Sequence, residues 1–194
     1  MSERRHQPRL VIVRHGETDW SKRWRHTGRT DIPLTDNGRR AAAALAPRLA
    51  QRPFSLVLTS PLSRARETAA LAGFPGAVPD PNLLEWDYGA DEGRTSAEIE
   101  QDRPGWSLWS DGPKDGETIA HLSVRVERVI ARALEVDGDT LAFAHAHVLR
   151  ILSARWIGLH PEVGKRLLLP TAAPSTLGWE HDHRVIEEWS CGAT

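Results

Sequence analysis

Short apolar runs that alternate with stretches of helical spacing constrain this chain more than any other feature. The runs are "RLVIVRH" (9–15), "SLVLTS" (55–60) and "TLAFAH" (140–145). Each has the length and the β-branched or large apolar content of a strand buried on both faces. Between them, "TDNGRRAAAALAPRLAQ" (35–51) predicts a helix with Thr35 or Asp36 as its N-cap, kinked or shortened by Pro47. "LSRARETAALAG" (62–73) predicts another, closed by Gly73. A capping box of Thr95 and Glu98 opens a helix over 95–103. The longest predicted helix covers 116–138, with Ile119, Leu122, Val126, Val129, Ala133 and Val136 at helical spacing and Gly138 at its end. A further helix is expected over 147–159, then a hairpin of 175–181 and 184–190 around Asp182. Strands separated by helices predict an α/β fold, three layers deep, with a largely parallel central sheet between helices.

In such a sheet, ligands bind beyond the carboxyl ends of the strands. The first predicted strand ends in Arg14 and His15, the second in Ser60 followed by Arg64, and the third in His145 with His147 close behind. Three strands thus deliver two arginines and two or three histidines to one edge. Arginine presents a rigid fork of donors that matches phosphate oxygens. A neutral imidazole is a nucleophile. Phosphoryl transfer asks a protein for in-line placement and charge compensation, so this set needs no metal and no cofactor. A leaving alkoxide also needs a proton, and Glu85 in "NLLEWDYGADEG" is the candidate donor, with Trp86 offering it apolar surroundings.

The remaining composition narrows the reading. A chain of 194 residues predicts one domain, 1–194, with a lid-like insertion around 86–117 whose lid candidate is the Gly-, Pro- and Trp-rich stretch 103–117. The net charge of −1 gives no general attraction to nucleic acid or to a membrane surface. Cys191 is the single cysteine, so neither an internal disulfide nor cysteine-based metal spacing arises. The basic stretch 1–10 is followed by no apolar run long enough for a signal peptide, and no stretch approaches the ~20 apolar residues of a membrane span. A cytoplasmic protein is expected. Eight tryptophans against three phenylalanines point first to core packing, with Trp86, Trp106 and Trp109 as candidates for a pocket wall.

"RHGET" (14–18) resembles the signature of the histidine phosphatase superfamily, the phosphoglycerate-mutase-like enzymes. "HTGRTDIPLTDNGRRAA", "LTSPLSRARETA", "LLEWDYG" and "FAHAHVLR" resemble further segments of that family in the same order, so the likeness covers roughly 9–190. The resemblance implies a phosphoglycerate-mutase-like fold and a phosphohistidine nucleophile at His15. It implies that Arg14, Arg64 and His145 surround the phosphoryl group, with Glu85 as proton donor and later as base. Ser21, Thr27, Gly28, Tyr88, Ala146 and His147 are the candidates for substrate binding. Gly16 is read as letting the backbone turn beside the phosphate. Ser21 stands where the family commonly has asparagine, and Ala146 where it usually has glycine. The short lid favours hydrolysis over phosphoglycerate mutase-type transfer. The branch it resembles includes sugar-bisphosphate phosphatases and broad acid phosphatases. A basic mouth (Arg14, Lys22, Arg23, Arg25 and Arg29 against Glu17 and Asp19) would suit a second phosphate. The expected partner is a small phosphoester, and a homodimer is left open. Two other classes are compatible with the sequence: a metal-dependent hydrolase built on the His-x-His pairs at 145–147 and 181–183, and a non-catalytic phosphate-binding module.

Overall fold

The computed structural model describes residues 7–191. The basic residues 1–6 and the last three, 192–194, lie outside it, and with them the ends of the expected 1–194 domain.

The chain runs β1 (Leu10–Arg14), α1 (Asp19–Lys22), α2 (Asp36–Ala43), α3 (Ala46–Leu49), β2 (Leu56–Thr59), α4 (Ser63–Leu71) and β3 (Val78–Pro79). It continues through α5 (Ser96–Asp102), α6 (Ile119–Glu135), β4 (Thr140–Ala144), α7 (Ala146–Trp156), β5 (Pro174–Glu180) and β6 (His183–Glu188), with short 3₁₀ turns between. The six strands form one sheet in the order β3-β2-β4-β1-β5-β6. The first four are parallel, and β5 and β6 close the other side as an antiparallel hairpin.

Side chains alternate across the sheet, and each face has its own core. Leu10, Ile12, Leu58, Ala142 and Ala144 pack with α6 and α7 through Leu122, Val126, Val129, Val148 and Leu152. Val11, Val13, Leu141 and Phe143 face the other way, against Leu45, Leu49, Ala69 and Ala72. This is the expected three-layer arrangement.

Two expectations are corrected in detail, and one strand is added. The stretch 35–51 is two helices: Thr35 caps α2 by accepting from the Gly38 N–H, and Pro47 lies in the first turn of α3. The long helix starts at Ile119 because the Thr118 hydroxyl accepts from the His121 N–H and ends the coil there. The two-residue β3 went unpredicted, being too short for any periodicity and carrying a proline, which an edge strand tolerates.

Register decides where the site forms. Arg14 pairs with Ala144, and the His15 N–H donates to the Ala144 carbonyl at 2.9 Å. Thr59 pairs with Phe143, and the Ser60 N–H donates to the Phe143 carbonyl at 2.8 Å. The strand ends carrying His15, Ser60 and His145 therefore finish level. Among the described residues no helix is long and apolar enough to cross a membrane.

Candidate active site

Beyond that level edge lies a cavity of about 350 Å³. His15 and Arg14 enter it from β1, Glu85 and Tyr88 from the segment before α5, and Ala146, His147 and Arg150 from α7.

His15 is buried, and its Nδ1 lies 2.7 Å from the Gly16 carbonyl. A carbonyl only accepts, so Nδ1 carries the hydrogen and Nε2 keeps its lone pair. Burial, then the charges of Arg14 and Arg64, hold the ring well below the ordinary histidine pKa, so it is neutral at neutral pH. The His145 ring stands 5.1 Å away, centroid to centroid. Its Nδ1 accepts from Arg64 Nε at 3.1 Å, which puts its own hydrogen on Nε2, 2.7 Å from the Ser60 hydroxyl. Burial and the Arg64 charge keep it neutral as well.

The two arginines differ. Arg14 lines the cavity, donates from Nη1 to the Leu169 carbonyl at 2.8 Å, and has a buried Nε with no hydrogen-bond partner. Such a donor is costly to leave unmet. Arg64 is fully buried and spends its donors inside the chain: on His145, on the Thr30 carbonyl, and on the carbonyls of Thr27 and Gly28. Arg64, His145 and Gly28 sit behind the cavity wall, not on it. Gly28, a substrate-binding candidate, commits its N–H to Glu92 at 2.8 Å. Thr27 does line the cavity.

Glu85 is 3% exposed, and its surroundings are not the apolar ones expected from Trp86. Its Oε1 accepts from the N–H groups of Trp86 and Val148, both at 2.9 Å, and its Oε2 from the His147 N–H at 3.0 Å. Two of these donors belong to the first turn of α7, where backbone N–H groups lack helical partners. The Trp86 indole points away, to the Glu117 carbonyl. Ala146 opens the same turn without a positive φ and lines the cavity. The Tyr88 hydroxyl, kept protonated by burial, lies 2.6 Å from His147 Nδ1 and donates to it. His147 is neutral by burial and by the Arg150 charge.

Other expectations shift. The Ser21 hydroxyl borders the cavity, but it is committed to the Thr18 backbone as the capping box of α1. Gly16 has no positive φ; a Cβ there would meet the Gly38 carbonyl at 2.5 Å, so the glycine serves a close backbone approach and not a turn. Of the five cations in the expected basic mouth, only Arg14 and Arg25 line the cavity, and Arg25 pairs with Glu98 at 3.2 Å. None of Trp86, Trp106 and Trp109 lines it, nor does any residue of 103–117; from the expected insertion 86–117 the wall takes Tyr88, Thr95, Ser96 and Ala97. Trp109 instead stacks under the Arg150 guanidinium at 4.7 Å. His26 and Arg150 are lining residues that the sequence reading missed. Arg150 follows His147 by three positions on one helix, so the shared face was a usable signal; His26 offered none. Among the described residues no three His, Cys, Asp or Glu side chains are grouped as metal ligands.

One small cavity is lined by His15 with its bare Nε2, by Arg14, whose buried Nε is unmet, and by the Glu85 carboxyl. A model of the histidine phosphatase superfamily (branch 1) matches residues 10–192. An acid phosphatase of Mycobacterium tuberculosis is 38% identical over 182 residues, covering 92% of this chain and 90% of that protein. A sedoheptulose 1,7-bisphosphatase of Saccharomyces cerevisiae is 36% identical over 186 residues, covering 78% of this chain and 68% of that protein. The solved structure of the open reading frame Rv3214 from Mycobacterium tuberculosis matches with a TM-score of 0.91 and 36% identity, over 95% of this chain and 98% of that one.

Proposed function

The chain belongs to branch 1 of the histidine phosphatase superfamily, and from that premise we propose that it hydrolyses small sugar phosphates or bisphosphates through a phosphohistidine on His15. The observation that carries this is the bare Nε2 of a neutral His15 in a cavity that Arg14 and Glu85 also line. The His15 Nε2 lone pair attacks phosphorus as the ester P–O bond breaks. The leaving alkoxide takes the proton of the Glu85 carboxyl. A water then gives its proton to the Glu85 carboxylate while its oxygen attacks phosphorus, the P–N bond breaks, and inorganic phosphate leaves.

In this reading the Arg14 guanidinium, which lines the cavity, donates to an equatorial oxygen. Arg64, bound to the chain, acts through its charge and by holding the His145 ring, whose Nε2 hydrogen lies beside Ser60. A sugar substrate is supported by the acid phosphatase and sedoheptulose bisphosphatase relatives. A second phosphate is supported by Arg150, which lines the cavity and donates to the carbonyls of Gly164 and Lys165, leaving part of its fork uncommitted. A cytoplasmic setting belongs to the proposal and rests on the lone Cys191.

The test is phosphate release, with EDTA present, from sugar monophosphates, sugar bisphosphates, phosphoglycerates and p-nitrophenyl phosphate. Rapid alkaline quench of the same reactions would trap the phosphoenzyme. The expected result is release that survives EDTA, with an acid-labile, alkali-stable phosphoprotein; His15→Ala abolishes both while the circular dichroism spectrum is kept. Activity lost to EDTA and restored by a metal would overturn the proposal.

A further inference from the structure

Two large apolar side chains line the cavity yet stay open to solvent: Trp24, 77% exposed, and Leu168, 66% exposed. Trp24 also holds φ at +57°, a left-handed conformation that glycine adopts freely and bulky side chains avoid. Asp115, Ala172, His181 and Ser190 share that region of φ, but none carries so large a ring. The turn is fixed by its neighbours. The Trp24 N–H donates to the Ser21 carbonyl, the Arg25 N–H to the Trp20 carbonyl at 3.0 Å, and the Arg25 guanidinium to the Gly93 carbonyl. The Trp24 indole itself belongs to neither apolar core and pairs with no other ring among the described residues. A strained backbone thus carries a large side chain that the fold does not use, beside the cavity of His15. Conformational strain of this kind gathers at ligand clamps.

We propose that Trp24 is a specificity residue whose indole is a platform for the leaving group, so that the enzyme selects phosphoesters of ring-bearing alcohols over open-chain ones. Sugar rings and aryl rings share the needed chemistry, a flat face with C–H or π surface that stacks on an indole. Leu168 supplies further apolar surface in the same cavity. The proposal rests on the phosphatase reading of His15.

The test compares wild type, Trp24→Gly and Trp24→Phe on a hexopyranose phosphate, p-nitrophenyl phosphate and glycerol 3-phosphate, with light scattering of each protein. Glycine suits the backbone at this position, so Trp24→Gly is expected to fold with an unchanged or raised Tm. Its KM for the ring esters is expected to rise about three- to tenfold with kcat kept, the KM for glycerol 3-phosphate to stay level, and Trp24→Phe to recover most of the loss. A rise confined to one ring ester supports the platform and names which ring it serves. An equal rise on all three esters, no rise at all, or a changed oligomeric state without a KM split would overturn it. Turnover of glycerol 3-phosphate by all three proteins keeps the phosphatase reading standing if the platform fails. Release from no ester overturns both.

Discussion

His15 has its hydrogen committed to the Gly16 carbonyl, so the ring can present only Nε2 to an incoming phosphorus. Glu85 is fixed just as firmly, by three backbone N–H groups. That grip sets the direction of the carboxyl. Glu85→Gln removes the proton while keeping the shape. The loss in kcat/KM for alkyl phosphates is expected at roughly 10²- to 10⁴-fold. p-Nitrophenyl phosphate, whose leaving group scarcely needs a proton, should lose much less. Steady-state kinetics on the two esters reads this directly, and equal losses would remove Glu85 from the acid role. Some residues were legible at this scale and others were not. Arg14, His15, Arg64, Glu85 and His145 stand in local motifs. His26 stands in none, and it becomes a wall residue only because the turn at Arg25 is pinned to Gly93 and Thr95.

At the scale of elements, the end of β1 and the start of α2 meet backbone to backbone. A Cβ on Gly38 would lie 2.2 Å from the Glu17 carbonyl, and one on Gly16 2.5 Å from the Gly38 carbonyl. Both contacts are with main chain, which cannot move aside as a flexible side chain would. Gly38→Ala is therefore expected to destabilise by about 2 kcal/mol or more through overpacking. It should also lower turnover, because the same stretch aligns His15. Urea denaturation measures the first effect, and a midpoint unchanged from wild type would show that the two segments can part. Glycine marks both tight turns and close approaches in a sequence, and at Gly16 only its partner, Gly38, distinguishes them. The helix 35–51 was legible in its cap and its proline, but not as two pieces.

Across the whole molecule, four histidines gather at one site: His15, His26 and His147 line the cavity, and His145 is buried behind its wall. His15, His26, His145 and His147 are each held below the ordinary histidine pKa, burial being the largest cause, with His26 lowered to about 4. An unfolded chain takes up protons near pH 6.5 that the folded chain refuses. The stability these groups confer is complete above that pH and falls as pH drops, for His26 through the window from 6.5 to about 4. Urea midpoints compared at about pH 7.5 and about pH 5 should fall on acidification, and His26→Gln should recover about 2 kcal/mol of the difference. An identical fall in the variant would show that His26 does not take part.

The sequence by itself determined the alternation of strand and helix, the two-faced core and the motif residues at the strand ends, because periodicity and capping act between residues a few positions apart. Only the tertiary structure decided how those residues are used. Glu85 meets N–H groups of α7 more than sixty positions on. Arg64 turns its fork to carbonyls at 27–30 instead of into the cavity. Trp24 stands open in the mouth while Trp86 is buried. Such outcomes depend on how separate segments dock, and docking is set by sheet register and by backbone contacts that leave no local pattern in the chain.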